Sequence, residues 1–254
     1  MSAVIGQGPD LALIHGWGLD SAVWQPLLAA LAQRFRVHLV DLPGYGAAPD
    51  DSADFTNTAQ AVIDALPHPV TLCGWSLGAM LALRAARLSP EKVKRLILVG
   101  ATASFTQRAD WPAGQAPEVV DSFAASVRLQ AQPTLQRFIA LLSQGDIRAR
   151  AISRTLTAGL RQAPTPDVET LSRGLNWLRE VDLRPLLPTV TARCLLIHGE
   201  NDSLIPLAAA QCLAKTLPNA RLEVFAAAGH APFLNDPERF VRLLDDFHHA
   251  PASP

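Results

Sequence analysis

Short, nearly continuous apolar runs recur along the chain at Leu11 to His15, Phe35 to Val40, Val70 to Cys73, Arg95 to Val99, Cys194 to Ile197 and Leu222 to Phe225. Runs of this length, with little polar alternation, mark strands buried on both faces, as parallel strands sandwiched between helices are. Helical stretches separate them, among them Ala79 to Ala86, a run of strong helix formers. The rhythm breaks between Ser104 and Leu186. That interval has no strand-like run but shows helical periodicity over Val119 to Leu129, Thr134 to Leu142, Ile147 to Leu160 and Val168 to Arg179. Pro112, Pro117, Pro133, Pro164, Pro166, Pro185 and Pro188 punctuate it, each placed to start or stop a helix. The pattern predicts an α/β fold. Residues 1–103 and 187–254 build a mostly parallel, doubly wound sheet, and 104–186 form an inserted helical lid.

On this framework the pentapeptide Gly74-Trp75-Ser76-Leu77-Gly78 falls directly after one candidate strand and before one candidate helix. G-x-S-x-G in that context is a nucleophile elbow: a sharp turn brings backbone so close to itself that side chains at Gly74 and Gly78 would clash, and it lifts the serine hydroxyl to the helix N-terminus. A serine nucleophile needs a histidine base and a carboxylate to orient it. Asp202 follows the strand ending at Gly199, and His230 follows the strand ending at Phe225. All three residues sit past strand C-terminal ends, where the loops of an open α/β sheet converge on one crevice. Taken singly, Asp202 also reads as a helix cap and His230 as a loop histidine, and Glu200 is the nearest rival for the acid. The ordered trio Ser76, Asp202, His230 favours a catalytic triad.

A tetrahedral intermediate also needs hydrogen-bond donors for its oxyanion. The Leu77 N–H, just after the serine, supplies one, and the glycine-flanked loop Ile14-His15-Gly16-Trp17-Gly18 offers the Trp17 N–H as the second. His15 reads as a brace for that loop.

Composition narrows the picture further. A chain of 254 residues with 49% hydrophobic content suffices for one α/β domain. The first basic residue is Arg34 and no apolar stretch approaches the ~18 residues of a spanning helix, so a cytoplasmic location off the membrane is expected. Cys73, Cys194 and Cys212 lie in apolar surroundings and read as small buried hydrophobes. Gly44-Tyr45-Gly46-Ala47-Ala48-Pro49 lacks the third glycine of a dinucleotide loop, and no Walker A lysine, C-x-x-C or H-E-x-x-H occurs, so no cofactor and no metal are expected. The adjacent His248 and His249 read as solvent-exposed.

Charge is unevenly placed. From Ser122 to Ala163 the lid carries Arg128, Arg137, Arg148, Arg150, Arg154 and Arg161 against Asp146 alone, in a chain of net charge −1. On a helix, Arg150, Arg154 and Arg161 fall within about 40° of one another, roughly opposite Ile152, Leu156 and Leu160. A solvated arginine face is one reading. The absence of lysine from the lid and the local nature of the field favour an acidic protein or a phosphorylated substrate over nucleic acid.

Five segments carry a resemblance: His15-Gly16-Trp17-Gly18-Leu19, Val40-Asp41-Leu42-Pro43-Gly44-Tyr45-Gly46, Gly74-Trp75-Ser76-Leu77-Gly78, Arg137-Phe138-Ile139-Ala140-Leu141 and Ala228-Gly229-His230-Ala231-Pro232-Phe233. The chain resembles the α/β-hydrolase superfamily over nearly its full length. More narrowly it is similar to the BioH family of pimeloyl-acyl-carrier-protein methyl ester esterases of biotin synthesis. The resemblance favours Asp202 as the acid. It implies a cofactor-free serine carboxylesterase, expected as a monomer, whose partner is an acyl carrier protein bearing a pimeloyl methyl ester on its phosphopantetheine. It places the acyl chain against Trp17, Leu77, Phe138, Ile139, Ala140, Leu141 and Leu142, and it gives Arg137, Arg150, Arg154 and Arg161 an acidic carrier to dock. Leu142 departs from the glutamine of the family pattern, Ala79 stands where a glycine often follows the elbow, and the short N-terminus leaves room for at most a reduced first hairpin before Leu11. A general short-chain carboxylesterase or carbon–carbon bond hydrolase would use the same triad, and a non-catalytic ligand-binding homologue would keep the fold without turnover.

Overall fold

The computed structural model describes residues 3–51, 53–162 and 164–250, with the backbone alone for 161 and 162. Its strands are β1 (Ala3–Ile5), β2 (Asp10–Ile14), β3 (Arg36–Val40), β4 (Val70–Trp75), β5 (Val93–Val99), β6 (Arg193–Gly199) and β7 (Ala220–Phe225). They form a seven-stranded sheet in the order β1-β3-β2-β4-β5-β6-β7. All neighbours are parallel except β1, which runs antiparallel to β3 with Val4 opposite His38. The six apolar runs are therefore strands, with ends shifted by at most two residues. Before Leu11 there is one short strand, within the bound of at most a reduced hairpin, and it pairs with β3 rather than with β2, which is already hydrogen-bonded on both edges.

Helices α1 (Gln25–Leu31), α2 (Phe55–Asp64) and α3 (Leu77–Leu88) alternate with the first strands. Four helices, α4 (Pro117–Leu129), α5 (Ala131–Ser143), α6 (Ala149–Gln162) and α7 (Val168–Glu180), fill the interval between β5 and β6. The chain closes with α8 (Leu207–Thr216), α9 (Pro232–Asn235) and α10 (Pro237–His249). The sequence sets several boundaries. Asp54, Asp167 and Asp236 each cap a helix by accepting a backbone N–H of its first turn, and Pro117 and Pro237 occupy first helical positions, where a missing N–H costs nothing.

The sheet separates two cores. Side chains alternate across it: Ala12, Ile14, Leu72, Leu96, Leu98 and Leu196 face one core, and Leu11, Leu13, Cys73, Ile97, Val99 and Leu195 the other. The first core is covered by α2, α3 and α8, the second by α1 and α10. The inserted helices divide between them. Val127 of α4 and Leu171, Leu175 and Leu178 of α7 join the first core, whereas Ile152 and Leu156 of α6 join the second. Helix α5 straddles the boundary, with Leu135 in the first and Ile139 and Leu142 in the second. Arg184 ties the two ends of the insertion by pairing with Asp110 and Asp182. Two isolated bridges, Thr106 to Gln115 and Arg108 to Trp111, are the insertion's β contacts among the described residues. No described helix is long and apolar enough to cross a membrane.

Candidate active site

Strand β4 delivers Ser76 to a turn with φ 56° and ψ −119°, a conformation that non-glycine residues rarely adopt and that costs on the order of 1–3 kcal/mol. The surroundings hold it there. The Ser76 N–H donates to Val99 O at 2.9 Å, and its carbonyl accepts from Ala79 and Met80 to start α3. A Cβ on Gly74 would collide with the Gly78 carbonyl oxygen, and one on Gly78 with the His15 carbonyl oxygen, so the turn requires both glycines. Ser76 is 7% exposed.

His230 and Asp202 meet. His230 Nδ1 lies 2.7 Å from Asp202 Oδ2, with both side chains buried. The second carboxylate oxygen, Oδ1, accepts from the N–H groups of Leu204 and Ile205 at 2.9 Å each, so Asp202 caps its own turn and orients the imidazole at once. Burial is the largest single influence on Asp202 and pushes its carboxyl up. The attraction and hydrogen bond of His230, with help from His198 and the Ile205 N–H, outweigh it and hold the group below its ordinary value. A neutral imidazole that gives its Nδ1–H to a carboxylate has its lone pair on Nε2, and in His230 this buried nitrogen has no hydrogen-bond partner among the described residues. Trp75 fixes the ring beside the elbow: its indole N–H donates to the His230 carbonyl at 2.8 Å, and the two rings stand 5.5 Å apart. Trp75, the residue before Ser76, thus ties the His230 loop to the elbow. Glu200 does not compete; it is exposed and accepts from the Ala227 N–H at 3.0 Å.

The loop after β2 presses on the elbow from the other side, and a Cβ on Gly16 would stand 3.2 Å from Ser76 Cβ. His15 braces this loop as expected. Its Nδ1 donates to Gly16 O at 2.8 Å and its Nε2 accepts from the Leu42 N–H at 3.0 Å, while burial lowers its pKa and keeps it neutral. The Trp17 indole N–H donates to Leu171 O at 2.9 Å, anchoring the loop to α7.

Trp17 also forms one wall of an apolar cavity of about 80 Å³, with Phe123, Phe138, Leu141, Leu175 and Leu178. The Trp17 and Phe138 rings meet edge to face at 4.9 Å. The structure therefore divides the residues expected to hold an acyl chain. Trp17, Phe138 and Leu141 line the cavity; Leu77 is buried beside the serine; Ala140 is on the outer face of α5; Ile139 and Leu142 point into the second core. Trp17, Phe138 and Leu141 therefore share one cavity while Ala140, Ile139 and Leu142 fall on other faces of α5, as a 3.6-residue period requires of five consecutive positions.

Arg137, Arg150 and Arg154 are exposed, with Ile152 and Leu156 buried on the opposite side of α6. The side chain of Arg161 lies outside the described residues. Among those described, no ion pair engages Arg137, Arg150 or Arg154, whereas Arg108, Arg173, Arg179 and Arg184 of the same insertion all pair with carboxylates.

Three further residues escape the sequence reading. His198 lies 3.4 Å from Asp202 Oδ2 and donates from Nε2 to Ile205 O at 2.7 Å; burial lowers its pKa. Asp146, the lone acid of the arginine-rich stretch, is buried against the His230 loop. His248 is half-buried rather than exposed: Nδ1 is 3.1 Å from Thr71 Oγ1 and its ring meets Phe35 edge on. An amphipathic α10 presents that position to the start of β4, the middle strand of the sheet, which the tail-like sequence conceals. Cys73 and Cys194 are buried, which pushes both thiols up, Cys194 to about 12. Among the described residues no cluster of three or more His, Cys, Asp or Glu side chains is placed to hold a metal ion.

The chain is similar to known proteins over nearly its full length. Residues 11–243 match the model of the alpha/beta hydrolase family. A pimeloyl-[acyl-carrier protein] methyl ester esterase from Photobacterium profundum is 43% identical over 95% of each chain. One of the same name from Nitrosomonas europaea is 44% identical over 94% of this chain and 96% of its own. Among solved structures, an esterase from Exiguobacterium antarcticum superposes with a TM-score of 0.86 at 28% identity, covering 98% of this chain and 94% of that one.

Proposed function

Since the chain belongs to the alpha/beta hydrolase family, we propose that it is a serine esterase that hydrolyses the methyl ester of pimeloyl-acyl-carrier protein, releasing methanol and leaving the free distal carboxylate on the carrier. The observation that carries this reading is the common activity of relatives about two-fifths identical over nearly the whole chain. The site supplies what that reaction needs.

Ser76 Oγ attacks the ester carbonyl while His230 Nε2 takes its proton, and Asp202 stabilises the imidazolium. The N–H groups of Leu77 and Trp17 hold the oxyanion. As the tetrahedral intermediate collapses, the imidazolium returns the proton to the departing methoxide, and methanol leaves. Water, deprotonated by the same histidine, then attacks the acyl-serine, and the second collapse frees the carboxylic acid and restores the Ser76 hydroxyl. The aliphatic chain lies against Trp17, Phe138 and Leu141 in a cavity with almost no polar lining. Such a wall suits a neutral methyl ester better than a carboxylate, which must be desolvated to stay there.

The four inserted helices, 104–186, act as the lid. Arg137, Arg150 and Arg154 form its carrier-docking face, being exposed and without a carboxylate partner among the described residues, whereas Arg108, Arg173, Arg179 and Arg184 are paired. An acidic carrier would supply one. Docking there determines which of the two carbonyls of the acyl chain, methyl ester or thioester, reaches Ser76. Mass spectrometry of the carrier after incubation tests the proposal. Loss of one methyl group with the thioester retained is expected; an unaltered carrier, or one stripped of its acyl chain, would contradict it.

A further inference from the structure

The turn between α5 and α6 is hydrogen-bonded to the loops that carry Asp202 and His230, and one side chain organises it. Asp146 is 7% exposed, and among the described residues it has no cationic partner. Its charge is met by N–H donors. Oδ2 accepts from the Gly229 N–H at 2.9 Å, and Oδ1 accepts from Asn235 Nδ2 at 2.9 Å and from the Arg148 N–H at 2.6 Å. Gly229 immediately precedes His230, and Asn235 ends the short helix that follows it. The carboxylate therefore spans the base loop on both sides.

Neighbouring backbone adds to this. The His230 N–H donates to Leu142 O at 3.2 Å, and the Ile147 N–H donates to Ala227 O at 3.0 Å. Asn201, adjacent to Asp202, donates from Nδ2 to Gly145 O at 3.0 Å. The end of α5 and the turn after it thus hold the loops of both Asp202 and His230. The same turn joins α5, which bears Arg137, to α6, which bears Arg150 and Arg154.

We propose that Asp146 is a positioning residue for His230, clamping the base loop to the α5–α6 turn so that the placement of the arginine-bearing helices and the aim of the base are set together. The proposal rests on the assignment of His230 as base. A carboxylate with three short N–H donors in a buried setting fixes a loop more tightly than neutral partners would. Displacement of a base by a fraction of an ångström affects turnover far more than ground-state binding of a small ester. Substrate contacts are untouched, because Asp146 does not line the apolar cavity.

The test uses a small p-nitrophenyl ester, whose turnover does not depend on carrier docking. Asp146→Ala is expected to lower kcat about tenfold or more with KM within about twofold, and Asp146→Asn, which keeps acceptor oxygen for Gly229, to recover most of the loss. Asn235→Ala, which removes one arm of the clamp and is less disruptive, is expected to lower kcat by about threefold and decides the matter should Asp146→Ala fail to fold. A kcat within twofold of the parent in Asn235→Ala, together with a parental kcat in any folded Asp146→Ala, would overturn the proposal. A parallel drop in kcat and rise in KM, without rescue by asparagine, would also overturn it, as general loosening of the fold. Ser76→Ala run alongside separates the two claims: activity surviving that change would defeat the triad reading itself, independently of Asp146.

Discussion

Asp202 divides its carboxylate between two tasks, one oxygen 2.7 Å from His230 Nδ1 and the other 2.9 Å from the N–H groups of Leu204 and Ile205. The cap fixes the carboxylate plane, and the plane fixes the imidazole. Asp202→Asn keeps a cap-accepting oxygen but can present an N–H toward Nδ1, favouring the tautomer that cannot accept the serine proton. A fall in kcat of about 10³ to 10⁴ is expected, with far-UV circular dichroism unchanged. Retention of more than a tenth of the parental rate would remove Asp202 from the mechanism.

The backbone at Ser76 stores strain that function requires and folding does not. Ser76→Gly relieves the positive φ, so it should abolish ester turnover while raising the melting temperature; Ser76→Ala should abolish turnover without that gain. About 1 kcal/mol separates the two in stability. Thermal melts of both variants check this, and equal melting temperatures would show that the elbow is unstrained.

His15 and His198 are both buried, and burial lowers the pKa of each below the ordinary 6.5. In the unfolded chain they protonate near 6.5, but in the native state they resist it, so folding binds fewer protons. Their contribution to stability is whole above pH 6.5 and is lost as pH falls toward their depressed native values. The Asp202 carboxyl, also held low, adds a similar loss further down, beneath its ordinary 3.8. Melting temperature measured from pH 7.5 to 5 should decline, and His15→Gln should lessen the slope. A flat profile over that range would contradict the neutral brace.

Leu141 lines the apolar cavity and is half-buried. A carboxylate there, as in Leu141→Asp, would have to be desolvated by an incoming acyl chain. KM for a pimeloyl-length methyl ester should rise about tenfold or more, at roughly 1.4 kcal/mol per tenfold, with a smaller effect on an acetate ester. Equal effects on both would place the chain elsewhere.

Arg150→Glu with Arg154→Glu should raise KM for the carrier-bound ester and leave that of a small ester unchanged, and the parental KM should itself rise with salt because the contacts are exposed. An unaltered KM for the carrier substrate would end the docking reading.

Much of this fold is legible in the sequence because its strands are buried on both faces. Runs such as Cys194 to Ile197 have no polar face to confuse their period, and the elbow's glycines announce a steric need that the structure meets at Gly74 and Gly78. The Ser, Asp, His order, with each residue just past an apolar run, is legible for the same reason. What escapes is what depends on partners distant in sequence. Nothing near Asp146 tells that Gly229 and Asn235 will come to it, and its place among six arginines disguises a buried carboxylate as surface charge. That Ile139 and Leu142 face the second core while Leu135 faces the first is equally hidden, because α5 straddles two cores and only the packed structure shows which residues face which. The first strand's choice of β3 over β2 is likewise a matter of which sheet edge remains open.

The most direct test of the account is kcat/KM for pimeloyl-acyl-carrier-protein methyl ester beside that for a small p-nitrophenyl ester, with Ser76→Ala as control. The account predicts a large preference for the carrier-bound methyl ester, an intact thioester in the product and no activity in the control. Efficient turnover of the small ester alone would contradict it, leaving a general serine esterase whose arginine face is merely solvated.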